Sequence, residues 1–184
     1  MECNFCKEST LNVGQRTSYR AVIVFKIGGL ENGWFAALSP KTGGDTEKDF
    51  LIQIIPKKHL KYFSEIDDDK KRAENYGITF GKISHAIAEI LKEQDSNTSI
   101  LPIGTYGKCK HEDEHIHIKL FPYRGDIGQP FTLDSSFNTR EVHKDGEKFI
   151  KLKPVRKRDL SEERLNYLSK RFIDLLNQPS SSSK

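Results

Sequence analysis

The run His115-Ile116-His117-Ile118-Lys119-Leu120-Phe121-Pro122 alternates polar with apolar residues and stops on a proline. Successive side chains of a β-strand point to opposite faces, so His115, His117, Lys119 and Phe121 share one face and Ile116, Ile118 and Leu120 the other. The isoleucine face belongs to a core. An outer face that only had to be solvated would more often carry Thr, Lys or Glu. Two histidines and a lysine in register therefore suggest a site, the bland alternative being exposed or core-satisfied imidazoles beside an acidic loop.

Working outward from this strand, Val22–Ile27 and Trp34–Leu38 are short apolar runs joined by Gly28-Gly29-Leu30-Glu31-Asn32-Gly33, a pattern that predicts a hairpin. Residues 50–55 form a β-rich run that stops at Pro56-Lys57-Lys58-His59. From Asp67 the period changes: Tyr76, Phe80, Ile83, Ile87, Ile90 and Leu91 fall mostly three and four apart, which predicts an amphipathic helix ending near Glu93. Residues 99–103 read as a further strand, separated from His115 by a charged loop over 108–114. Past the histidines, Asp145-Gly146 marks a tight hairpin within 142–152, and Asp159-Leu160-Ser161-Glu162-Glu163 opens a helix that runs to Leu176, its early acids complementing the helix dipole. Residues 178–184 are Gln, Pro, Ser and Lys, expected to be a disordered tail.

With 184 residues and 35% hydrophobic content, the chain suits one domain with a sizeable core. Its 30 basic and 26 acidic residues leave a net charge of +4, too mild to demand a nucleic-acid partner. The basic stretch 151–158 reads as a solvated connector. No apolar run approaches the roughly 18 residues that would span a bilayer. The start, Met1-Glu2-Cys3-Asn4-Phe5-Cys6, is polar and acidic rather than basic then apolar. A soluble, cytoplasmic protein is expected. The three cysteines are an odd count, which argues against a disulfide framework. Cys3-x-x-Cys6 is half a zinc site, a redox couple, or two unrelated thiols. Only two residues precede it, where a redox motif usually follows a strand, and this favours zinc.

The strand motif resembles that of the histidine triad superfamily, written His-φ-His-φ-His-φ-φ with φ apolar and often followed by Pro. Trp34-Phe35-Ala36-Ala37-Leu38-Ser39-Pro40 and Phe50-Leu51-Ile52-Gln53-Ile54-Ile55-Pro56-Lys57-Lys58-His59 resemble two strands of that family, the second typically ending Ile-Pro-Lys-x-His. Cys3-Asn4-Phe5-Cys6 resembles the Cys-x-x-Cys that opens many bacterial members, so about residues 1–125 are covered. The resemblance implies an α+β core with an antiparallel sheet of about five strands and a long helix, and the hairpin and helix read over 126–177 add a C-terminal extension, giving a single domain over 1–177. It also implies an enzyme that hydrolyses or transfers nucleotide phosphates. The middle histidine, His117, is then the nucleophile that forms a covalent nucleotidyl-imidazole.

Three departures qualify this expectation. Lys119 replaces the third histidine; its ammonium could neutralise phosphoryl charge, but at its ordinary pKa it is a poor acid at pH 7. Residues 108–114 replace the usual phosphate loop, leaving Thr105, Lys108 and His111 as substitutes with Lys119 for phosphate binding. Ala37 stands where hydrolases carry an acid for the ribose. The alternative is a nucleotide-binding protein that has lost turnover. In zinc-bearing members the cysteines are completed by the histidine after Ile-Pro-Lys and the first triad histidine, so the resemblance implies a structural zinc held by Cys3, Cys6, His59 and His115. The partner is a nucleotide-like phosphate compound, with a homodimer allowed because many relatives are dimers.

Overall fold

The computed structural model describes residues 3–94, 103–108, 114–123, 137–144, 146–154 and 157–178. A short helix, α1 (Asn4–Glu8), precedes a hairpin of β1 (Val22–Ile27) and β2 (Trp34–Leu38). Next come a two-residue strand β3 (Lys41–Thr42), β4 (Ile52–Pro56), a 3-10 turn at Phe63–Ile66 and the long helix α2 (Lys70–Gln94). Then follow β5 (Ile103–Lys108), β6 (His117–Pro122), β7 (Phe137–Lys144), β8 (Glu147–Pro154), β9 (Arg158–Asp159) and α3 (Glu162–Asn177). The main sheet is antiparallel and five-stranded, in the order β1-β2-β4-β6-β5. β7 pairs with β8, and β3 with β9. The α+β class, the sheet and the long helix are as expected.

One face of the sheet carries Val22, Val24, Trp34, Ala36, Leu38, Ile52, Ile54, Ile118 and Leu120, all buried against α2 and α3. From α2 this core takes Ile83, Ala86, Ile87, Ile90 and Leu91, and from α3 Leu165, Leu168, Phe172 and Leu176. Tyr76 and Phe80 flank it, so the helical face read from the sequence is the face that packs. Ser161 caps α3, accepting from the Arg164 amide at 3.1 Å. The opposite face holds a smaller cluster of Ala21, Ile23, Phe35, Ala37 and Ile55, covered in part by Phe5 and Leu11. Both faces of the sheet are thus buried, and the polar face of β6 lies on the side of the smaller cluster.

Two strand boundaries differ from expectation. Residues 99–102 fall outside the described segments, and the strand beside β6 runs over Ile103–Lys108. Its sequence, Ile-Gly-Thr-Tyr-Gly-Lys, hides it, because glycine weakens the strand signal. Both glycines mark close approaches: a Cβ at Gly104 would meet the Phe121 ring at 2.5 Å, and one at Gly107 the Phe63 ring at 1.9 Å. His115 lies just before β6 rather than in it. There the Ile116 amide donates to the Leu60 carbonyl at 2.8 Å, tying the entry of β6 to the segment that follows β4.

The N-terminal end of α2 is tied to the β1–β2 turn by buried Arg72. Its Nε donates to the Glu31 carbonyl at 3.1 Å and its guanidinium also reaches the Glu65 carbonyl, while its own carbonyl accepts the Trp34 indole N–H at 2.9 Å. Arg72→Ala would leave two carbonyls without this donor and should cost about 3 kcal/mol, measured as a fall in urea midpoint. A change within measurement error would contradict the role given to Arg72.

Candidate metal centre and histidine face

Three separate segments converge where β4 ends and β6 begins. Proline stops β4 and the chain continues to half-buried His59; the approach to β6 supplies His115, 1% exposed; α1 brings Cys3 at its N-cap and Cys6 within its turn. Cys3 Sγ lies 3.4 Å from His115 Nδ1, and Cys6 Sγ lies 3.6 Å from both His59 Nδ1 and His115 Nδ1. One ligand atom from each of the four lies within 4.8 Å of every other. A tetrahedral ion with sulfur bonds of about 2.3 Å and nitrogen bonds of about 2.1 Å has S···N edges of about 3.6 Å. The donor set thus fits a tetrahedral metal ion in spacing and in chemistry. The four residues expected from the sequence are the four that meet.

Burial, and secondarily the neighbouring His59, push the His115 pKa down to about 4, so at neutral pH the imidazole is the uncharged form that can coordinate a metal. In metal-free protein the unfolded chain takes up a proton near pH 6.5 that folded His115 refuses until about pH 4. Stability should therefore fall as pH drops through that window, by roughly 3 kcal/mol from this group. Urea titrations of metal-free protein across the window check this; His115→Gln should remove that part of the slope, and an unaltered slope would contradict it.

His117 opens β6 and is 3% exposed. Its Nδ1 lies 3.2 Å from the His115 carbonyl oxygen, and the Phe5 ring sits 5.0 Å from its imidazole, centroid to centroid. The same phenyl ring stands 5.8 Å from the His115 ring, edge on. Lys119, 2% exposed, is the register partner of Gln53 on β4 and Tyr106 on β5. Lys108 sits opposite His117, so its place in the register is on the histidine face. Thr105 is not brought there: it pairs with Leu120, a residue of the helix-facing core, and so belongs to the other face of the sheet. His111 falls outside the described residues.

A cleft of about 1250 Å³ adjoins the cluster. Its lining includes Cys3, Phe5, Gln53, His59, Glu114 and His115, together with Thr17, Tyr19, Arg20, Ser39, Lys41 and Lys157. Arg20 adopts a left-handed backbone, φ 67°, unusual for a residue with a side chain, and its guanidinium meets Glu162 of α3. Glu8 also lines the cleft. Its carboxyl is raised above its ordinary value by burial, partly offset by the Thr17 hydroxyl. Ala37 is 1% exposed in the small apolar cluster and offers nothing to a ribose.

Phe5 and Gln53 are the residues that reasoning from sequence passed over. Gln53 had a signal: it is the one polar residue in Ile-Gln-Ile-Ile-Pro, and alternation puts it on the histidine face. The signal for Phe5 was its place between two candidate metal ligands.

Fold and site together define an α+β protein with a Cys2His2 cluster able to bind a metal ion, set beside a buried histidine–lysine strand face. No family model, curated protein or solved structure matches the chain. No described helix is long and apolar enough to cross a membrane.

Proposed function

We propose that this chain is a zinc-braced, histidine-triad-like enzyme that hydrolyses or transfers nucleotide-type phosphates through a covalent intermediate on His117. The observation that carries the reading is the 3.2 Å approach of His117 Nδ1 to the His115 carbonyl. A carbonyl only accepts, so Nδ1 is the protonated nitrogen and Nε2 keeps the lone pair. On this reading Nε2 is the attacking nitrogen. Nε2 forms the bond to phosphorus as the bond to the leaving oxygen breaks, and a water or second phosphate then displaces the imidazole, which recovers its lone pair. Neutral imidazole serves as nucleophile and leaving group in turn.

Lys119, beside His117 on the same strand face, is the group this reading assigns to the phosphoryl oxygens, and Lys108 occupies the register position across from the nucleophile. Gln53 lines the cleft on the Lys119 side. Two thiols and two imidazoles at tetrahedral spacing favour zinc. When bound, the ion supplies bracing rather than an activated water, since four protein ligands complete its shell. Cys3 and Cys6 form no disulfide, which suits a reducing, cytoplasmic setting.

A second reading, a nucleotide-binding protein without turnover, is favoured by the depth of His117 and Lys119, 3% and 2% exposed, and by lysine in place of the third histidine. Turnover separates the two. Nucleoside phosphoramidates, dinucleoside polyphosphates and nucleotide sugars made chiral at phosphorus should react with net retention, since two in-line displacements restore the configuration. Inversion would point to direct attack by water and reject the His117 intermediate. Saturable nucleotide binding with no reaction on any of the three would establish the second reading.

A further inference from the structure

We propose that Phe5 is a gate over His117 whose position is set by metal binding at Cys3, Cys6, His59 and His115. The proposal rests on the metal reading of those four residues and gives the His117 site its regulation.

Phe5 lies in the chain between the two cysteines, so its ring cannot be placed independently of them. His59 and His115 are set by the ends of β4 and β6, and His117 follows His115 by two residues. When both thiols lie at ligand distance from those imidazoles, 3.4 to 3.6 Å, the intervening phenyl ring comes to rest 5.0 Å from the His117 ring. In that arrangement His117 is 3% exposed and does not line the cleft, whereas Phe5 does. The ring is thus a cleft-lining group that also contacts the buried imidazole.

The helix that carries the ring is short. α1 has five residues, far fewer than an isolated helix needs in water, and the Cys3 side chain makes no cap hydrogen bond. Besides the thiols, the segment is anchored by the contact of Phe5 with the cluster of Ala21, Ile23, Phe35, Ala37 and Ile55, by Asn4 Nδ2 donating to the Tyr19 hydroxyl at 2.9 Å, by the bond between Glu8 and the Thr17 hydroxyl, and by short-range backbone bonds such as Ser9 N–H to the Phe5 carbonyl, 2.9 Å. The cleft of about 1250 Å³ beside the ring gives it space to swing into. The metal thus sets how often the ring leaves His117: rarely while both cysteines are held, and readily once they are released.

The test reads accessibility rather than turnover. Full-length protein, loaded with zinc or stripped with a chelator, is treated with diethyl pyrocarbonate, which acylates accessible neutral imidazoles, and His117 is followed by peptide mapping apart from His59 and His115. Chelation should speed modification of His117 by about tenfold or more, the scale of a local opening. Zinc-loaded Phe5→Ala should react at the chelated rate while retaining its zinc; Phe5→Leu, which keeps more of the apolar contact, should fall between. A His117 rate indifferent to chelation, or a slow rate in zinc-loaded Phe5→Ala, overturns the gate while leaving the metal site standing. Failure to retain zinc at all overturns both together. Because no reaction at phosphorus is involved, the outcome is independent of whether His117 proves to be a nucleophile.

Discussion

His117→Ala is expected to lower turnover of a nucleotide phosphate substrate by about 10⁴-fold or more, the scale of loss seen when a covalent nucleophile is removed. Its Nδ1 contact to the His115 carbonyl is short-range, so the metal cluster and the sheet should survive, and zinc content and melting temperature serve as controls. Substrate binding should weaken far less than turnover, because the cleft is lined by other residues. Lys119→Met should fall between wild type and His117→Ala, since a positive charge is removed but the attacking nitrogen stays. Near-normal turnover in His117→Ala would show that the reaction, if any, uses another group. The expected drop with altered fold or zinc content would have to be repeated with His117→Asn before it counted in favour.

Stripping the metal is expected to have the second large effect. A ligand held by the folded state and not the unfolded one stabilises by about 4 kcal/mol at a thousandfold excess over its dissociation constant. For a chain of 184 residues, each kcal/mol moves the melting temperature by about 2–4 °C, so removal of zinc should lower it by roughly 8–16 °C. The fold should persist, because the core between sheet and helices is built mostly from residues away from the cluster, with Leu60 and Ile116 its only direct chain neighbours there. Cys3→Ser with Cys6→Ser should reproduce the low melting temperature and no longer respond to a chelator. Equal melting temperatures with and without the chelator in wild type would remove the structural role given to the metal.

How far the sequence reveals the fold depends on the length of each signal. α2 was legible because its apolar residues recur over many turns, and the β1–β2 hairpin because two apolar runs flank a glycine-rich turn. The β3–β9 pair was not: two residues a side carry no period, and their pairing joins positions far apart in the chain. β5 was misplaced because its glycines, chosen for close contact with Phe121 and Phe63, look like loop residues when read alone.

The candidate site follows the same logic. Residue type pointed to Cys3 and Cys6, the resemblance to the histidine triad added His59 and His115, and the structure brings the four ligand atoms within 4.8 Å of one another. What residue type could not convey was depth and direction. That Thr105 belongs to the core-facing side follows only from its pairing with Leu120, and that His117 lies beneath Phe5 follows only from the placement of α1. The carbonyl that orients His117 is likewise a product of local geometry, supplied by the backbone of another ligand, His115. The metal cluster and the histidine face are thus mechanically continuous, which is why the proposed gate and the proposed nucleophile share a segment.

The most direct measurement is the location of the adduct. The protein is mixed with a radiolabelled nucleoside phosphoramidate, dinucleoside polyphosphate or nucleotide sugar, quenched in alkali within a turnover, and sequenced by tandem mass spectrometry. The account predicts an acid-labile, base-stable nucleotidyl group on His117, absent from His117→Ala. Label on another residue, or label that persists in His117→Ala, would contradict it.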